Sequence, residues 1–116
     1  MNNIVTPSTP PLMLTIEDNG KHIVANNGDE VLVLLRTNPS TGYDWIATPV
    51  NPAVLTEEER TYAVLSNAMG SPNDLLIHYR VTGSGHAHIE LQYRRSWENG
   101  VAAVQIFTIE IDSREK

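Results

Sequence analysis

Apolar and polar residues alternate with a period of two along most of this chain. From His86 to Arg94, Ala87, Ile89, Leu91 and Tyr93 fall on one side, with His86, His88, Glu90, Gln92 and Arg94 on the other. That is the pattern of a strand with one buried face. Val104 to Asp112 continues it, setting Phe107, Ile109 and Ile111 against Ile106, Thr108 and Glu110. In "LLIHYRV", Leu75, Ile77, Tyr79 and Val81 point inward while His78 and Arg80 point outward. "EVLVLLR", Glu30 to Arg36, is almost continuously apolar and predicts a central strand.

Turn signals separate these runs. Asn-Gly occurs at Asn19-Gly20, Asn27-Gly28 and Asn99-Gly100, a pair suited to the left-handed backbone of tight hairpin turns. "TGSG", Thr82 to Gly85, is a further break. "PAVLTEEER", Pro52 to Arg60, has acidic residues after a threonine able to cap a helix, and reads as a connection with at most one helical turn. The predicted fold is all-β: an immunoglobulin-like antiparallel β-sandwich of roughly seven or eight strands. Trp45 is a candidate core aromatic. Loops in such a sandwich gather at its two ends, so residues distant in sequence can share one binding edge.

The length of 116 residues fits one domain, expected over residues 12–112 with a flexible leader at 1–11 and a tail at 113–116. The leader, rich in proline and polar residues, has no basic start and no long apolar block. It reads as a flexible segment or as the stub of a removed targeting segment. The net charge of −6 argues against nucleic acid and against anionic membrane surfaces, both of which select basic patches. No apolar run is long enough for a transmembrane helix. With no cysteine, disulfides, thiolate-rich zinc sites and a cysteine nucleophile are excluded. No feature calls for a cofactor, and none suggests an oligomer, so a monomer is expected.

Three loops carry the candidate chemistry. In "NPSTGYDW", Pro39 fixes its own φ and pushes Asn38 toward an extended backbone, while Gly42 allows angles or a close approach that a Cβ forbids. Ser40 and Thr41 lie between these constraints. The stretch is either a plain turn or a stiff binding loop with little entropy left to lose. "YRRSWENG" puts Trp97 beside an Asn-Gly turn, as an exposed interface anchor or folded back over the core edge. "SNAMGSPND", Ser66 to Asp74, is a run of small, turn-prone residues.

In this order the three loops resemble those of the chagasin family of cysteine peptidase inhibitors. The family shows Asn-Pro-Thr-Thr-Gly-aromatic with a Trp shortly after, then a Gly-X-Gly-Gly loop, then Arg-Pro-Trp. Here Ser40 replaces the first Thr, Ser96 replaces the Pro between Arg95 and Trp97, and the middle loop keeps Gly70 but adds Pro72. The likeness runs from about Met13 to Ile111. It implies an immunoglobulin-like sandwich and reversible, non-covalent inhibition of papain-like cysteine peptidases, with no enzymatic activity of its own. It also implies that Asn38, Pro39, Ser40, Thr41 and Gly42 enter the active-site cleft, with the adjoining Tyr43 among the peptidase-binding residues. Arg95, Ser96 and Trp97 would flank the leaving-group side, and Met69, Gly70 and Ser71 the other. The altered second and third loops predict weaker or differently selective inhibition.

Two other functions compete. His86 and His88 share a strand face and could ligate one ion, but His78 belongs to a strand expected in the opposite sheet, so a third ligand is missing. A generic sandwich-fold adhesion or binding module would instead use a sheet face, away from the three loops.

Overall fold

A computed structural model describes residues 10–64, 73–98 and 100–114. Among them are eight strands: β1 (Leu12–Leu14), β2 (His22–Asn26), β3 (Glu30–Thr37), β4 (Tyr43–Ala47), β5 (Leu55–Val64), β6 (Asn73–Val81), β7 (Gly85–Arg95) and β8 (Gln105–Arg114). One sheet has the order β1-β3-β6-β5 and the other β2-β8-β7-β4. β1 runs parallel to β3, and β2 parallel to β8; the other pairs are antiparallel. This is the two-sheet sandwich that the alternation predicts, departing from a wholly antiparallel one only at the parallel pairs of β1 and β2. β3 is central, as its apolar run requires.

The core is built from the inward rows. Val31, Val33 and Leu35 of β3 and Leu75, Ile77, Tyr79 and Val81 of β6 face Ala87, Ile89, Leu91, Phe107, Ile109 and Ile111 of the second sheet, all buried. Burying each large side chain contributes about 1.5–3 kcal/mol relative to exposure. Trp45 of β4 is 3% exposed and donates its indole N–H to the Arg36 carbonyl at 2.8 Å. The buried tryptophan thereby fastens the start of β4 to the end of β3.

Two sequence expectations need correction. Pro52 to Arg60 is more than a connection. The Val54 and Leu55 N–H groups both donate to the Asn51 carbonyl, at 3.1 and 3.0 Å, and close a single turn. From Leu55 onward, however, the segment is the edge strand β5, with a bulge between Glu57 and Glu59. Leu55 is buried, but Thr56 to Glu59 are exposed, and the bulge breaks the period of two. The run of Glu57, Glu58 and Glu59 is therefore a charged edge that resists pairing with another chain. Asn19-Gly20 and Asn27-Gly28, in turn, do not close two-residue hairpins, and Asn99 of the third pair lies outside the described residues. Gly28 has φ +98°, left-handed as expected, but it joins β2 to β3, which lie in different sheets. Its N–H donates to the Val81 carbonyl at 2.8 Å, so the turn is a corner between the sheets.

Candidate functional site

The end of β3 and the start of β4 are joined by Asn38 to Gly42. Pro39–Thr41 forms one 3-10 turn, and Asn38 and Tyr43 meet in an isolated antiparallel bridge. The turn is closed from within. The Thr41 N–H donates to the Asn38 carbonyl at 3.1 Å, and the Thr41 hydroxyl donates to the same carbonyl at 2.8 Å. The Ser40 hydroxyl donates to Asn38 Oδ1 at 2.7 Å. The sequence thus supplies a turn-forming proline, two hydroxyls and an asparagine that bond one another.

Register brings the third loop to this turn. Tyr43 pairs with Arg95 and Asp44 with Arg94. Arg95 donates from Nε to the Thr41 carbonyl at 2.9 Å. Its guanidinium lies 4.5 Å from the centroid of the Tyr43 ring, and Nη1 is 3.6 Å from Glu98. Tyr43 stacks on Tyr93 at 5.4 Å, and Tyr93 meets Trp45 at 4.9 Å. A column of one guanidinium and three rings therefore runs from the loop into the core. Each ring pair contributes about 0.5–1.5 kcal/mol beyond its burial. Burial pushes the Tyr93 phenol up, opposed by hydrogen bonds from the Asn38 backbone and the Thr37 side chain.

Trp97 is 65% exposed. It neither folds into the core nor stacks on Arg95. Its ring lies against Gly42, where a Cβ would collide with the indole, and Gly42 has φ +86°. Glycine is required there twice, for the left-handed backbone and for the approach of Trp97. Ser96 is exposed beside it. The Glu98 N–H donates to the Arg95 carbonyl at 3.2 Å, a turn that constrains Trp97 although proline is absent at Ser96.

Met69, Gly70 and Ser71 lie outside the described residues. The strand ends on either side, Val64 and Asn73, pair with each other and Asn73 also pairs with Thr37. The β5–β6 connection thus leaves and re-enters its sheet at the end that carries Asn38 to Gly42.

Below the turn, an open groove of about 530 Å³ runs between the edge strands β4 and β5, lined by Gly42, Asp44, Ile46, Glu57, Arg60 and Ser96 among others. The free edge of β4 is capped. Asp44 Oδ1 accepts from the Trp45 N–H at 2.8 Å and from the Thr37 hydroxyl at 3.0 Å. Arg60 Nη1 donates to the Trp45 carbonyl at 2.6 Å. An incoming strand would have to displace these partners.

The histidines sit elsewhere. His86 and His88 point outward from β7 and pair with Asp112 and Glu110 of β8, and His22 of β2 pairs with Asp112. His78, in the other sheet, pairs with Glu30 at 2.5 Å. Among the described residues, no group of three or more His, Asp or Glu is arranged to hold a metal ion. No helix among them is long and apolar enough to cross a membrane.

Residues 24–111 match the chagasin family of peptidase inhibitors, I42. The chain belongs to this family. Amoebiasin-2 of Entamoeba histolytica is 33% identical over 92 residues, which is 78% of this chain and 73% of that protein. Among solved structures, the cysteine protease inhibitor EhICP2 from Entamoeba histolytica aligns with a TM-score of 0.84 and 26% identity, over 94% of this chain and 100% of that one. The solution structure of amebosin aligns with a TM-score of 0.75 and 26% identity, over 91% and 100%. As a chagasin-family member the chain is an inhibitor of papain-like cysteine peptidases, and the matched span contains both Asn38 to Gly42 and Arg95 to Trp97.

The structure brings together the turn, Tyr43, Arg95 and Trp97, which the motif names, with Tyr93, which ties the column to Trp45, and Glu98, which the motif does not name. Tyr93 stands on the inward row two residues before Arg95, and that position was the available signal.

Proposed function

We propose that this inhibitor closes the cleft of its target peptidase with the sandwich end formed by Asn38, Pro39, Ser40, Thr41 and Gly42. Tyr43 supports the turn from beneath. In this reading Arg95, Ser96 and Trp97 contact the enzyme on one side of its cleft, and Met69, Gly70 and Ser71 are assigned to the other. Residues 12–112 form the inhibitory domain. The chain has no catalytic role; it acts by occupying the site.

One observation carries the reading: the turn is internally bonded, and its carbonyls at Asn38 and Thr41 already accept hydrogen bonds. A papain-like enzyme cleaves an extended segment whose carbonyl lies against the activated thiolate and its oxyanion donors. A closed turn fills that space without offering such a carbonyl, so it blocks and is not cut. Because the turn is ordered before binding, little entropy is lost on docking. Trp97, exposed and seated on Gly42, supplies an aromatic anchor at the flank. The altered middle loop, with Pro72 and a single glycine, adjusts selectivity rather than the mode of action.

Steady-state inhibition of papain at several substrate concentrations tests this, followed by rapid dilution of the complex. Competitive inhibition, full recovery of activity and an intact inhibitor chain are expected. Non-competitive inhibition or a chain cut between Asn38 and Gly42 would contradict the reading.

A further inference from the structure

We propose that Arg95 is a positioning residue for the inhibitory turn: its guanidinium holds Thr41 and Tyr43 in place and does not serve as a charged contact to the peptidase. This rests on the reading that the turn enters the cleft. Arg95 is the last residue of β7 and stands opposite Tyr43 in register. Three directions of its side chain are engaged. Nε donates to the Thr41 carbonyl at 2.9 Å, the planar face covers Tyr43 at 4.5 Å, and Nη1 faces Glu98 at 3.6 Å. To reach a carboxylate on an enzyme, the guanidinium would have to give up the carbonyl and the ring.

The Thr41 carbonyl cannot be served by a neighbour in sequence, because residue 41 ends the 3-10 turn that Asn38 closes. Arg95, 54 residues further on, is what ties the turn to β7. Trp97 presses on the same turn from two residues beyond Arg95. One side chain therefore registers the first and third loops before any enzyme arrives. A fork that donates from Nε while stacking on a ring is specific to arginine. Lysine, a point charge on a flexible stem, cannot do both at once.

Arg95→Lys separates positioning from charge. Arg95→Lys and Arg95→Ala are compared with wild type for association and dissociation rates with papain, and for hydrogen exchange at the Thr41 amide in the free inhibitor. Loss of pre-order reduces the fraction of binding-competent molecules, and the apparent affinity falls by that fraction. Both variants are expected to associate on the order of ten-fold more slowly, with faster Thr41 exchange and a nearly unchanged dissociation rate. Tyr43→Leu combined with Arg95→Ala should cost less than the sum of the two, since each loses the guanidinium–ring contact, while the loss of the Tyr43–Tyr93 stack stays with Tyr43→Leu. The proposal is overturned if Arg95→Lys behaves as wild type. It is also overturned if Thr41 exchange is unchanged while dissociation accelerates, which would mark a direct contact. Should wild type fail to inhibit papain, the site reading falls, while the exchange measurement on the free protein still decides the role of Arg95.

Discussion

At one end of the sandwich the indole of Trp97 fills the space that a side chain on Gly42 would need; at the other, the Ala53 carbonyl fills the space that a side chain on Gly83 would need. The first contact leaves a large aromatic in solvent. The second belongs to a sealed corner, where the Thr82 N–H donates to the Val54 carbonyl at 2.8 Å and Val54 and Leu55 are buried. Both ends depend on a glycine, yet only one spends it on exposed apolar surface. Close packing that buries nothing large does little for folding, so its return comes from binding.

Trp97→Ala should break the comparison most strongly. It is expected to weaken papain inhibition by about 2–4 kcal/mol, as loss of an interface anchor does, with a nearly unchanged melting temperature. Inhibition constants and thermal melts on one preparation check both halves. Gly83→Ala is expected to do the reverse. Forcing a Cβ against backbone costs about 1–3 kcal/mol of stability, read from urea unfolding, while the folded fraction inhibits as before. Gly42→Ala should touch both properties, because the left-handed backbone costs about 1–2 kcal/mol and the indole loses its seat. A melt lowered together with weaker inhibition is the expected signature.

The smallest effect belongs to a region outside both ends. On the outer face of the second sheet, His22, His86 and His88 interleave with Glu90, Glu110 and Asp112. Hydrogen bonding to Asp112, then to Glu110, raises the His86 pKa above its ordinary 6.5. Its contribution to stability is therefore complete below about pH 6.5 and is lost as pH rises through the folded value. Glu110 is lowered chiefly by His88, and Asp112 chiefly by His86 and then His22. Their contributions are present above the ordinary carboxylate range and are lost as pH falls through the folded values. The ladder thus favours the fold most between those limits. Melts of wild type and His86→Gln should differ at pH 5–6 and converge above pH 8, with papain inhibition at fixed pH unaffected.

The sequence made β6, β7 and β8 legible because each buries one face and exposes the other, so that chemistry repeats every second residue. β5 was hidden for the opposite reason: among its described side chains it buries little besides Leu55, and its bulge interrupts the period. The left-handed glycine at Gly28 was readable, since backbone preference is local. That it turns a corner between sheets was not, since sheet membership depends on which faces pack. The same division holds at the site. The motif names the turn, Arg95 and Trp97, but the bond from Arg95 to the Thr41 carbonyl and the seat of Trp97 on Gly42 join residues far apart in sequence. Only register brings them together.

The most direct measurement replaces Asn38 to Gly42 with a Gly/Ser loop of equal length and compares its papain inhibition constant with that of wild type. Strands β3 and β4 are held by Trp45 and by their own neighbours, so the variant is expected to fold. The account predicts that it no longer inhibits. Inhibition at the wild-type level by the folded variant would contradict the account and move the binding surface to a sheet face.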